Sequence, residues 1–65
     1  MTRFYISDCE TGLFHEVSRA VFFRWIEIFK AEKNCVKRSF RGLYADGIIY
    51  DFGRFEFWME EALEK

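Results

Sequence analysis

Two tight chain reversals constrain this sequence more than any other feature. Asp46-Gly47 and Gly53-Arg54 each stand between apolar runs, at residues 40–45, 48–52 and 55–59. Asp-Gly suits a type I′ turn, in which both central residues need positive φ, and glycine at the first central position suits type II′. Two-residue turns at both places predict a three-stranded antiparallel meander.

The turns also set the register. They pair Ala45 with Ile48, Leu43 with Tyr50, Phe52 with Phe55, Tyr50 with Phe57 and Ile48 with Met59, which puts these residues on one almost wholly apolar face. Upstream, residues 3–7 alternate polar and apolar and run into the turn-like segment 7–12, so they read as a first strand and a loop. Ser18 then precedes a dense periodic stretch to about Lys33, where Asn34 offers a stop, and this predicts one helix. On a helical wheel Val21, Phe22, Trp25, Ile28 and Phe29 form the apolar stripe that would rest on the sheet, with Phe23 and Ile26 outside it. The expected architecture is a single α+β domain over residues 1–65, a two-layer sandwich in β-α-β-β-β order. One helix packs on a mainly antiparallel sheet of three to four strands, and the edge that receives the first strand is left open.

Apolar material then exceeds what such a fold needs. Nine Phe, three Tyr and two Trp in 65 proline-free residues are more ring surface than one small core normally hides. Phe23 and Ile26 are accordingly expected to serve self-association as a homodimer. The predicted register also leaves Tyr44, Ile49 and Trp58 in a row across the face away from the helix, with Phe40 close by and Tyr5 added if the first strand joins there. Antiparallel sheets normally show water a polar face, so the row calls for a cover: the carboxy-terminal segment, the loop of residues 8–17, or a partner. Beside it Asp51 and Glu56 lie directly opposite each other, with Gly42 on the far side, and like charges in that relation destabilise a sheet. The two carboxylates are placed to receive an arginine or lysine from a partner, or to hold a hard cation weakly.

Catalytic and metal chemistry finds no foothold in the sequence. His15 is the lone histidine, Cys9 and Cys35 lack both a CxxC spacing and a histidine at finger spacing, and no glycine-rich phosphate loop occurs. The expectation is a non-enzyme without cofactor or metal, its cysteines reduced. No run approaches the roughly 18 apolar residues of a membrane span, and no signal-peptide pattern opens the chain, so a cytoplasmic protein without a membrane partner is expected.

Charge is laid down unevenly. Lys30, Lys33, Lys37, Arg38 and Arg41 make residues 30–41 basic, whereas the final twenty positions are acidic. Lys37, Arg38 and Arg41 interleave with Phe40 and Tyr44, a combination that grips phosphates and stacks bases, so nucleic-acid binding through Lys37, Arg38, Phe40 and Arg41 is the alternative reading. The acidic neighbours Asp51, Glu56 and Glu60 oppose it. The favoured function is a protein–protein interaction module that binds or occludes a larger protein as inhibitor or adaptor. Tyr44, Ile49 and Trp58 would be its apolar anchors and Asp51 and Glu56 the flanking charge. In composition the chain has the style of small accessory proteins of phages and mobile elements.

Overall fold

The computed structural model describes residues 1–62. Its elements run β1 (Thr2–Asp8), β2 (Leu13–Val17), α1 (Arg19–Glu32), β3 (Val36–Arg41), β4 (Ala45–Asp51) and β5 (Phe55–Ala62). All neighbouring strands are antiparallel, in the spatial order β2-β1-β5-β4-β3, and α1 packs on one face. The α+β class with one helix on an antiparallel sheet is as expected. The sheet has five strands rather than three to four, because residues 13–17 pair with β1 instead of looping.

That extra strand follows from a well-satisfied reversal. Asp8 turns its carboxylate back to accept from the Glu10 N–H at 3.0 Å, and Gly12 takes a φ of 78° and donates to the Asp8 carbonyl at 2.8 Å. Glycine alone adopts that φ at no steric cost. The chain therefore re-enters at Leu13 directly opposite Asp8. β1 becomes an interior strand, with Tyr5 opposite Trp58 of β5 on one side and Glu16 of β2 on the other.

The 53–54 reversal is as the sequence predicts. Gly53 has φ 93° and Arg54 does not share a positive φ, Phe52 N–H donates to the Phe55 carbonyl at 2.9 Å, and Tyr50 faces Phe57 and Ile48 faces Met59. The 46–47 reversal is corrected. Asp46 and Gly47 lie inside β4, and the chain turns at Leu43-Tyr44, closed by the Gly42 N–H on the Ala45 carbonyl at 2.8 Å. Lys37, not Leu43, stands opposite Tyr50, and Ile48 faces Ser39, not Ala45. The reason is visible at Gly47, which pairs with Phe40. A Cβ at 47 would collide with the Phe40 ring and the Met59 carbonyl oxygen, so this glycine serves a close approach rather than a turn. The slip along β3 is even, so each of its residues keeps its expected face while changing its neighbours.

Ser18 caps α1, its hydroxyl accepting from the Val21 N–H at 3.3 Å, and the Lys33 N–H donates to the Phe29 carbonyl at 2.8 Å at the other end. The buried face of the helix differs from the wheel reading. Phe22 and Ile26 are the buried residues, while Val21, Trp25 and Ile28 are each more than 40% exposed. Ile26 is thus core, and Phe23 is half-buried with its ring 5.8 Å from that of Phe4. Four of the seven apolar positions are rings, and the helix docks through Phe22 and Ile26, four residues apart, rather than through the middle of the stripe, where the largest ring, Trp25, is 44% exposed. Phe22 is the ring that reaches Phe4, Tyr50 and Phe57 together, at 4.9, 6.3 and 5.8 Å.

The core is Phe4, Phe22, Ile26, Phe52 and Phe57, with Phe29 against Phe52, Phe55 and Phe57. A helix about 10 Å across covers only the middle of five strands spaced about 4.8 Å. The flanks at β2 and β3 stay open, with Leu13 53% exposed and Lys37 exposed on the helix side. Cys9 and Cys35 are free thiols. Among the described residues no helix is long and apolar enough to cross a membrane.

Candidate functional site: the sheet face opposite the helix

Strand alternation sends Tyr5, Phe14, Arg38, Phe40, Ile49 and Trp58 to the face that α1 does not cover. Their rings form a continuous ladder. Tyr5 stacks on Phe14 with centroids 5.0 Å apart and planes 20° apart, Phe14 meets Trp58 edge-on at 5.7 Å, and Phe40 meets Trp58 from the other side at 5.6 Å. Trp58 is the hub. Its indole N–H donates to Glu56 Oε1 at 3.1 Å, so the one polar atom of the ring is satisfied while its faces remain apolar.

Beside the ladder, Asp51 and Glu56 lie opposite each other as the sequence indicates. The cation between them comes from the chain itself. Arg38 Nη2 stands 3.3 Å from Asp51 Oδ2 and 3.3 Å from Glu56 Oε2. This is a consequence of the β3 slip, since Arg38 takes the place opposite Ile49 that the predicted register assigns to Tyr44. Glu16, Glu60 and Arg3 complete the border, which is net acidic.

The predicted site residues are therefore only partly brought together. Trp58, Asp51 and Glu56 form one cluster. Ile49 stands between Trp58 and Arg38 in the register and is 7% exposed, so it supports the face rather than presenting itself. Tyr44 sits in the β3–β4 turn, 74% exposed and outside the row. The basic strip divides by alternation: Arg38 and Phe40 join the ladder face, whereas Lys37 and Arg41 project to the helix side. Lys37 Nζ lies 5.8 Å from the Tyr50 ring centre, and Arg41 Nε stands 4.0 Å from Asp46 Oδ1. Phe14 is the ring that sequence reasoning missed. Reading the Asp8-to-Gly12 stretch as a hairpin loop would have exposed it, because Phe14 and Glu16 then alternate with Leu13, His15 and Val17.

The thiol of Cys9 is pushed above its ordinary range by loss of hydration first and then by the Glu56 and Asp51 carboxylates. Among the described residues no three His, Cys, Asp or Glu side chains approach closely enough to hold a metal ion. No family model matches the chain, nor does any curated protein or solved structure.

Proposed function

We propose that this chain acts by contact, as a small interaction module that caps a larger protein with the ladder face of its sheet, in the manner of an inhibitor or adaptor. The observation that carries this reading is Trp58, held between Phe14 and Phe40 on a face that no second layer covers among the described residues, while Phe14 itself is 51% exposed. Aromatic anchors bordered by polar groups are where interface energy concentrates. The acidic border selects the partner's chemistry: an apolar protein surface edged with Lys or Arg. It disfavours nucleic acid, whose phosphates it repels, and a second copy meeting face to face, which would oppose like charges.

Paired affinity captures with the intact protein and a Phe14→Ser/Trp58→Ser variant test this, once circular dichroism shows the variant folded. Trp25→Ser serves as the matched control on the helix. A partner retained by the intact protein and by the control, lost by the ladder variant, and cross-linked through an apolar and basic patch supports the reading. Equal capture by the ladder variant removes it.

A further inference from the structure

β3 is an open sheet edge, and its two sides ask for different side chains. On the helix side Lys30 and Lys37 both stand over the Tyr50 ring, their Nζ atoms 5.5 and 5.8 Å from its centre, and Lys33 Nζ lies 6.0 Å from the Phe29 ring centre. None of the three has a carboxylate within salt-bridge distance among the described residues, in contrast to Arg38, Arg41 and Arg54. On the ladder side the same strand presents Val36, 60% exposed, and half-buried Phe40, while Arg38 between them is already held by Asp51 and Glu56. One side is cationic with unspent charge, and the other is apolar.

From this we infer that β3 receives an extended acidic segment of another protein as a sixth strand, with acids at alternate positions facing Lys30 and Lys37 and apolar residues between them facing Val36 and Phe40. Strand addition draws its affinity from backbone hydrogen bonds and its specificity from alternate side chains. A period of two is legible only to an extended peptide. A nucleic-acid strand carries phosphate at every step and would bring charge against Val36, Phe40 and the carboxylates beyond them. Charge also excludes a second copy at this edge, because β3 against β3 would set Lys37, Arg38 and Arg41 against their own kind, the usual guard of edge strands. This surface shares Phe40 with the ladder face, but it is centred on Lys30 and Lys37 on the other side, and its test does not depend on that reading.

The probe is a capped peptide of about seven residues alternating Glu and Val, titrated into the isotope-labelled full chain and followed by backbone amide shifts. The expected result is saturable shifts concentrated on residues 36–41, and affinity lowered about tenfold by Lys30→Gln/Lys37→Gln in a protein whose spectrum stays dispersed. A peptide of the same composition with Glu and Val in blocks, and one N-methylated at alternate residues, should each bind at least tenfold more weakly. Absence of saturable shifts overturns the inference. So does equal binding of the blocked or methylated peptide, which would reduce the site to bare charge. A single-stranded oligonucleotide of equal charge that displaces the peptide at lower concentration would assign the edge to nucleic acid instead.

Discussion

The Phe40 ring occupies the space above Gly47 that any side chain at position 47 would need. This one cross-strand pair holds the β3–β4 register, seats Phe40 against Trp58, and thereby builds half of the ladder. Aromatic residues opposite strand glycines cover the backbone that glycine leaves bare.

Gly47→Ala should therefore lower stability by about 1–3 kcal/mol in urea unfolding, the range for forcing atoms into a packed site. A strand glycine without such a neighbour would gain from the same change, by about 0.4–1 kcal/mol. Phe40→Ala/Gly47→Ala should recover part of the loss, because the Phe40 ring then leaves the space while the Met59 carbonyl stays in the way. Strict additivity of the two changes would mean that Gly47 acts through a turn conformation after all.

The helix face makes a second prediction. Ile26, 4% exposed, should cost about 2–5 kcal/mol on truncation to alanine, and Ile28, 41% exposed, clearly less. Thermal melts of Ile26→Ala and Ile28→Ala decide it. A reversed order would restore the stripe of Val21, Phe22, Trp25, Ile28 and Phe29 as the buried one.

Local chemistry made much of this fold legible. Ser18 marks the helix start because its hydroxyl satisfies an orphan N–H, and Gly53 marks its turn because few other residues take that φ. Both signals are complete within a few residues. Asp46-Gly47 carries an equally strong local signal, yet it is overridden by a contact with Phe40 that no local pattern encodes. Leu13–Val17 hides as a strand because its apolar residues come as a pair, Leu13-Phe14, and a half-covered edge strand tolerates apolar side chains on both faces. The ladder's composition was consequently half readable. Trp58 and Phe40 follow from parity alone, which an even slip preserves, whereas Arg38, Tyr44 and Phe14 depend on which strand lies beside which.

Arg38 should hold Asp51 and Glu56 together at a measurable cost when removed. With side chains 49%, 26% and 20% exposed, the triad is a surface network, so Arg38→Gln should destabilise by about 0.5–1 kcal/mol, less in high salt. Glu56→Gln in the same background should regain part of it by relieving the cross-strand repulsion. Chemical denaturation of the four proteins of this cycle gives the coupling, and a coupling of zero would show Arg38 and Glu56 to be independently solvated.

Acid should loosen the end of the sheet where two loops are clipped. Arg54 Nε and Nη2 donate to Asp8 Oδ1 and Oδ2, both at 3.3 Å, and the Cys9 N–H donates to the Arg54 carbonyl at 2.7 Å, joining the β1–β2 and β4–β5 turns. The Arg54 hydrogen bond holds the Asp8 carboxyl below its ordinary range, outweighing the opposing loss of hydration, and the Glu10 and Thr11 N–H groups add to it. A carboxyl whose folded pKa is depressed binds fewer protons folded than unfolded, so its contribution is complete above the unfolded value of about 3.9 and fades as pH falls through the folded one. Stability followed from pH 7 to acid should therefore decline below about pH 4, and Asp8→Asn should flatten part of that decline while lowering stability at neutral pH. An unchanged acid limb in Asp8→Asn would assign the acid sensitivity to other carboxylates.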